Sequence, residues 1–175
     1  MTWSHDSQKE DKWTSFVQAL APEIDPQAIS LMDELRFVGR AIYHVSDHSL
    51  NDAGLSFAQY KVLMHLFFAE QMCAESELNP SQISERQGVS RNAMSSLIRN
   101  LEDEALVERR LDPLDRRRFN ISLTDNGRSL VTNYAREHLA LVNSCFSALT
   151  TEEQQELSDL LRKVRLQVEA VRVLI

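Results

Sequence analysis

Residues 79–124 read NPSQISERQGVSRNAMSSLIRNLEDEALVERRLDPLDRRRFNISLT, and the fold turns on this stretch. Asn79-Pro80-Ser81-Gln82 combines an N-cap, a proline at the first helical position and a glutamine at the third, which opens a short helix. That helix stops at Gln87-Gly88, where glycine supplies a left-handed turn. Val89-Ser90 opens a second helix, from Arg91 to about Ala105. A helix, a short turn containing glycine and a second helix make the helix-turn-helix pattern. Beyond it, residues 106–110 and 119–123 are separated by Pro113 and a charged turn, which predicts two short antiparallel strands with a basic tip.

Outward from this segment the chain is helical. From about Pro26 to Asp47, Ala28, Leu31, Met32, Leu35, Val38, Ile42 and Val45 recur at three-four spacing and form one apolar stripe on a long helix. Phe37, Arg40, His44 and His48 lie on its other face. Asn51 to Leu55 contains Gly54 and reads as a loop, and Ser56-x-x-Gln59 is a capping box opening a helix through Tyr60, Met64 and Phe67. A polar, Glu-rich stretch runs from Glu70 to Leu78. Thr124 caps a long helix to about Leu149, and Thr150-x-x-Glu153 is a second capping box, ahead of a helix carrying Leu157, Leu160, Leu161, Val164, Val168, Val171 and Leu174. Before Pro22, Trp13, Phe16, Val17 and Leu20 fit either a short amphipathic helix or a frayed tail.

Length and composition suit one globular domain, or one core with appended helices, in 175 residues of which 43% are hydrophobic and 26% charged. Four Gly and four Pro favour a mainly helical protein over a sandwich or barrel. No apolar run is long enough for a bilayer span and the first twenty residues hold no signal-peptide core, so a cytoplasmic protein is expected. The net charge of -7 argues against binding nucleic acid over the whole surface, but charge is unevenly placed. Between Ser81 and Ile121 eight arginines face seven carboxylates, while the rest of the chain has eleven basic against nineteen acidic residues. One face offered to phosphate on an otherwise repelling body fits that distribution.

The helix after Ser90 buries a narrow stripe of Met94, Leu97, Ile98, Leu101 and Ala105 and turns Asn92, Ser96 and Arg99 outward, with Ser95 at the flank. Small hydrogen-bonding residues with one arginine suit a major groove, where bulk clashes and Arg or Asn reads base edges. Arg91, in the first turn, is placed to reach a phosphate. Taken alone, this is equally an ordinary solvated helix face. The tip that follows, with Asp115, Arg116, Arg117 and Arg118, changes the balance, because arginines beside a reading helix suit the narrow, electronegative minor groove. Asp115 is placed to hold one arginine in an ion pair.

GLSFAQYKVLMHL at 54–66 and SQISERQGVSRNAMSSLIRNLEDEALVERRLDPLDRRRFNISLTDNG at 81–127 resemble the MarR family of transcriptional regulators, and the similarity runs in order from about residue 28 to the C-terminus. It is most specific at the wing, where Asp115-x-Arg117 is followed by a strand ending in Leu123-Thr124-x-x-Gly127. The resemblance implies that Arg117 is the minor-groove arginine with Asp115 as its partner, and that the first long helix and the last two pack against those of a second copy. The physics agrees, since these helices are apolar along one stripe and would form a thin layer in a monomer. Two departures stand out: the segment before Asn79 is a few residues longer than the family leads one to expect, and Arg118 occupies a wing position more often small.

The fold class expected is therefore mainly α: a winged helix-turn-helix with a two- to three-stranded antiparallel wing sheet and a helical dimerisation region built from the N- and C-terminal helices. Residues 1–23 form a tail or short helix, 24–50 the first dimerisation helix, 54–124 the DNA-binding domain and 125–175 the C-terminal dimerisation helices. The expected function is sequence-specific regulation, usually repressive, by a homodimer on double-stranded DNA with a pseudo-palindromic operator and half-sites about one turn apart. Family members resembled here bind small aromatic or phenolic anions, and Phe37, Arg40, His44, Tyr60, Met64 and Phe67 offer an aromatic wall with a cation for such an effector. His44 and His48 share an i,i+4 spacing but are too few for a metal. Cys73 follows carboxylates that would raise its pKa and Cys145 lies among apolar residues, so neither reads as a redox sensor. A winged helix adapted to protein or RNA is the rival reading. No phosphate loop, metal cluster or catalytic triad in motif context points to an enzyme or a cofactor.

Overall fold

The computed structural model describes residues 7–72, 77–112, 115 and 118–174. These residues form two compact units that part after Val45. The first holds α1 (Ser7–Leu20) and most of α2 (Pro26–His48). The N-terminal segment is thus helical, and its Trp13 and Phe16 rings stack at 5.7 Å. Leu31, Met32, Leu35 and Val38 of the α2 stripe are all exposed.

The second unit carries α3 (Phe57–Met72), α4 (Pro80–Gln87), α5 (Arg91–Asp103), the strands β1 (Val107–Leu111) and β2 (Phe119–Leu123), α6 (Asp125–Cys145) and α7 (Thr151–Leu174). The expected loop before α3 contains a 3-10 turn at Asn51–Ala53, closed by Gly54 at φ 68°. Each cap read from the sequence is formed. Ser56 and Gln59 satisfy one another's backbone and side-chain groups, Asn79 and Gln82 do the same, and Ser90 and Thr124 accept from Ala93 and Gly127. Thr150 and Glu153 complete the last box. Such caps match donors that a helix start leaves without partners. One was not anticipated: the Asp47 carboxylate accepts from the Phe57 amide at 2.7 Å, from ten residues upstream.

The core of this unit lies under the helix-turn-helix. Leu63, Ile83, Met94, Ile98, Leu101 and Ile121 are at most 1% exposed, and each such side chain stabilises the fold by about 1.5–3 kcal/mol. α4 and α5 are joined through Gly88 at φ 69°, whose amide donates to Ser84 and Glu85 carbonyls. β1 and β2 are antiparallel with Val107 opposite Leu123 and Leu111 opposite Phe119. A third, one-residue strand is supplied by Leu78, which exchanges both backbone hydrogen bonds with Ile121 at 3.0 and 2.8 Å. The sheet is two-stranded with this bridge.

Three helix ends differ from the reading of the sequence. α5 stops at Asp103, and Ala105 is an exposed residue at φ 54° rather than part of the buried stripe. Ala105 and Leu106 amides donate back to the Glu102 and Leu101 carbonyls, a Schellman closure that needs a left-handed residue, and here alanine adopts it. α6 stops at Cys145, four residues before the expected Leu149, and side chains take up carbonyls in its last turn and just beyond it. Ser144 donates to Leu141, and Gln154 Nε2 donates to both Phe146 and Leu149 at 3.1 Å. α3 also runs further than its apolar pattern suggested and takes in Glu70, which holds Arg128 of α6 through two contacts of 2.8 and 3.0 Å.

Gly127 marks the tightest approach. A Cβ there would stand 2.1 Å from the Leu106 carbonyl oxygen, which is backbone and cannot swing aside. The glycine of the Leu-Thr-x-x-Gly pattern is required for closeness. Gly127→Ala is therefore expected to destabilise the protein by about 1–3 kcal/mol or more, and Ala105→Gly to stabilise it by about 1 kcal/mol through relief of the left-handed alanine. Chemical denaturation of both variants checks the two signs.

Candidate nucleic-acid interface

α5 is held by Met94, Ile98 and Leu101 in the core, with Leu97 half-buried. This leaves Arg91, Asn92, Ser95, Ser96 and Arg99 all exposed on the other side, the face expected from the helical wheel. The arginines on it are available: neither Arg91 nor Arg99 forms an ion pair among the described residues. The serines are less free than the sequence suggested. Ser95 Oγ donates to the Arg91 carbonyl at 2.9 Å and Ser96 Oγ to the Asn92 carbonyl at 3.2 Å. Their protons are committed to their own helix, so each hydroxyl offers acceptor lone pairs outward. That back-bonding is local, and its i to i-4 spacing was visible in the sequence.

Of the wing residues, Asp115 and Arg118 are described, whereas Arg116 and Arg117 lie outside the described residues. Arg118 Nε stands 3.3 Å from Asp115 Oδ2, and its amide donates to the Asp115 carbonyl at 2.8 Å. Asp115 thus holds an arginine, as expected, and the one observed is Arg118. The Asp115 amide in turn donates to Asp112 Oδ1 at 2.9 Å.

The other arginines of the basic segment divide by role. Arg109 pairs with Glu102 of α5 at 3.4 Å and lies over the Phe119 ring at 5.3 Å. Arg110 pairs with Glu108 at 2.6 Å and Glu77 at 3.9 Å. Both serve the hairpin and its join to α5. Sequence reasoning counted all eight arginines as one basic field and missed these contacts, because Glu102 and Glu77 come near only through the fold.

The residues expected to meet an effector fall in both units. Phe37, Arg40 and His44 are exposed on α2 in the first. In the second, Tyr60 is fully buried, and Met64 and Phe67 pack half-buried against the core. The Tyr60 ring meets His138 of α6 edge-on at 5.1 Å, and Phe57 lies 5.4 Å from the same imidazole. His138 escaped notice in the sequence although it continues the inward spacing of Val131, Tyr134 and Ala135. His48 sits 2.9 Å from Asn51 Nδ2 through its Nδ1 atom. Cys145 is an exposed free thiol, and Cys73 lies outside the described residues. No helix among the described residues is long and apolar enough to cross a membrane.

Two half-buried imidazoles make stability depend on pH. Burial lowers the pKa of His138 below its ordinary value of 6.5. At His65, burial acts together with the nearby positive charges of Arg86 and Lys61 to do the same. Above about pH 6.5 both are neutral folded or unfolded, so stability is flat with respect to them. Below it the unfolded chain takes up protons that the folded chain resists, and stability falls as pH drops toward the folded values. A His65→Gln, His138→Phe variant is expected to show a weaker decline in melting temperature between about pH 6.5 and 5. A decline as steep as in the wild type would assign the loss to other groups.

The sequence profile of the MarR family matches residues 53–118, from the turn before α3 to the end of the wing tip. The chain is 26% identical to the transcriptional repressor YetL of Bacillus subtilis over 131 residues, covering 75% of this chain and 76% of YetL. The S. aureus MepR-DNA complex superposes with a TM-score of 0.68 at 25% identity, covering 77% of this chain and 93% of MepR. Bordetella bronchiseptica BpsR, solved in connection with regulation of its DNA binding by 6-hydroxynicotinic acid, gives 0.68 at 24% identity, with 78% and 98% covered.

Proposed function

We propose that the chain is a DNA-binding transcriptional regulator of the MarR type, which its residues 53–118 resemble, and not an enzyme: a cytoplasmic repressor that binds a pseudo-palindromic operator as a homodimer and leaves it when a small aromatic or phenolic anion binds. The observation that carries the DNA half is the outer face of α5, where Arg91 and Arg99 stand exposed with no ion pair among the described residues, next in sequence to a hairpin whose Arg118 is held by Asp115. On this reading α5 enters the major groove, Asn92 and Arg99 read base edges, Arg91 meets a phosphate, and the wing with Arg116, Arg117 and Arg118 follows the adjacent minor groove.

The homodimer is supported by side chains that the single chain leaves uncovered. Leu160, Val164 and Val168 on α7 and Leu31, Leu35 and Val38 on α2 are each at least 44% exposed. An exposed apolar stripe along each of these helices marks an association face, and an obligate homodimer buries such faces as a core cut in half. The dimer region then comprises residues 24–50 and 125–175, with 54–124 as the reading head. For the effector, the support is the neighbour BpsR, whose DNA binding is regulated by 6-hydroxynicotinic acid, together with the exposed Arg40 and His44 as groups able to meet a carboxylate.

Selection from a random duplex pool by the purified protein at two salt concentrations tests the DNA reading. An inverted repeat with half-sites about one turn apart, bound less tightly at higher salt, is the expected result. Arg117→Ala is expected to weaken binding strongly with the dimer intact, and Arg99→Ala or Asn92→Ala to cost about 1–3 kcal/mol and relax preference at one base position. A folded dimer that enriches no duplex, with or without aromatic acids, would put the protein-binding reading first. Titration calorimetry with aromatic carboxylates checks the effector separately, and a series that gives no heat removes it.

A further inference from the structure

We propose that Asp112 and Asn120 form a positioning pair that sets the wing tip for duplex binding, an inference that rests on the DNA-binding reading above. Asp112 follows the last residue of β1, and Asn120 is the second residue of β2. The Asp112 amide donates to the Arg118 carbonyl at 3.1 Å, closing the hairpin beyond the Leu111 and Phe119 pair. Its carboxylate reaches in two directions. Oδ1 accepts from the Asp115 amide at 2.9 Å, and Oδ2 accepts from Asn120 Nδ2 at 3.1 Å. Asp115 then accepts from the Arg118 amide at 2.8 Å and holds the Arg118 guanidinium at 3.3 Å. One half-buried carboxylate thus ties the start of the tip to its middle and to the returning strand, and the residues that present Arg118 hang from it.

The charge of Asp112 separates positioning from plain electrostatics. A carboxylate on a face that meets phosphates opposes binding, so its removal by Asp112→Asn would tighten the complex if charge alone mattered. Positioning requires the reverse. In Asp112→Asn one of the two donors, the Asp115 amide or the Asn120 amide group, meets an NH2 group in place of an oxygen. In Asn120→Asp two carboxylates face one another. The double swap, Asp112→Asn with Asn120→Asp, gives both of these donors an acceptor again: the new asparagine oxygen takes the Asp115 amide and its NH2 donates to the new aspartate. It also returns the net charge to that of the wild type.

The experiment measures duplex affinity, with melting temperature and dimer mass as controls, and amide hydrogen exchange at Asp115 and Arg118 for the wild type, both single variants and the swap. The expected result is a loss of about tenfold in affinity in each single variant, faster exchange at the two tip amides, and recovery of both in the swap at unchanged melting temperature. Equal or tighter binding by Asp112→Asn, or a swap no better than the singles, overturns the proposal. Because exchange needs no DNA, a wild-type protein that retains no duplex would overturn the function proposed above, and the tip amides would still decide the positioning.

Discussion

The corner at Leu106 is the constraint on which the reading head depends. Its amide donates to the Leu101 carbonyl at 2.9 Å and ends α5, and its own carbonyl accepts from the Thr124 amide at 3.1 Å, where β2 passes into α6. The Thr124 hydroxyl donates to the Ala105 carbonyl at 2.7 Å, and Gly127 leaves no gap above the Leu106 oxygen. Recognition helix, wing and α6 therefore meet within one residue of one another. Each pair could be joined more loosely, but then the angle between α5 and the hairpin would be free, and a winged helix reads two grooves only when that angle is set.

An acidic chain becomes a credible duplex binder by allocation of its arginines. Arg109 and Arg110 are held by Glu102, Glu108 and Glu77, and Arg128 by Glu70 and Asp125. Most of these pairs are exposed and contribute little to stability individually, but they neutralise cations away from the reading face. Arg91 and Arg99 are left uncommitted on α5. The carboxylates of the acidic remainder then repel phosphate from the other sides of the molecule.

Much of this architecture was legible because capping is local chemistry. Ser56, Asn79, Ser90, Thr124 and Thr150 each act on an amide three residues away, so spacing alone reveals them. The outward face of α5 was legible for a similar reason, since the helical period assigns it once Met94, Ile98 and Leu101 are buried. What stayed hidden was set by distant parts of the chain. Alanine is a good helix former, yet Ala105 is left-handed because the Thr124 hydroxyl and the Leu106 packing hold it there. The Asp47 cap reaches across a turn, and the partners of Arg109 and Arg110 come from α5 and the segment before α4. The bond from Asn120 to Asp112 needed the register of the hairpin, which no spacing rule supplies.

The first turn of α6 is fastened to the lobe twice, by Gly127 on the Leu106 backbone and by Arg128 on Glu70 at the far end of α3. Two fixings on neighbouring residues, directed at different elements, remove a swivel as well as a slide. The start of α6 is accordingly a flange and not a hinge. In the homodimer proposed above, any rearrangement that changes the distance between the two copies of α5 must bend the chain further along α6 or carry α6 and its lobe together as one lever. A ligand acting on either end of that lever would move DNA-binding residues it never touches.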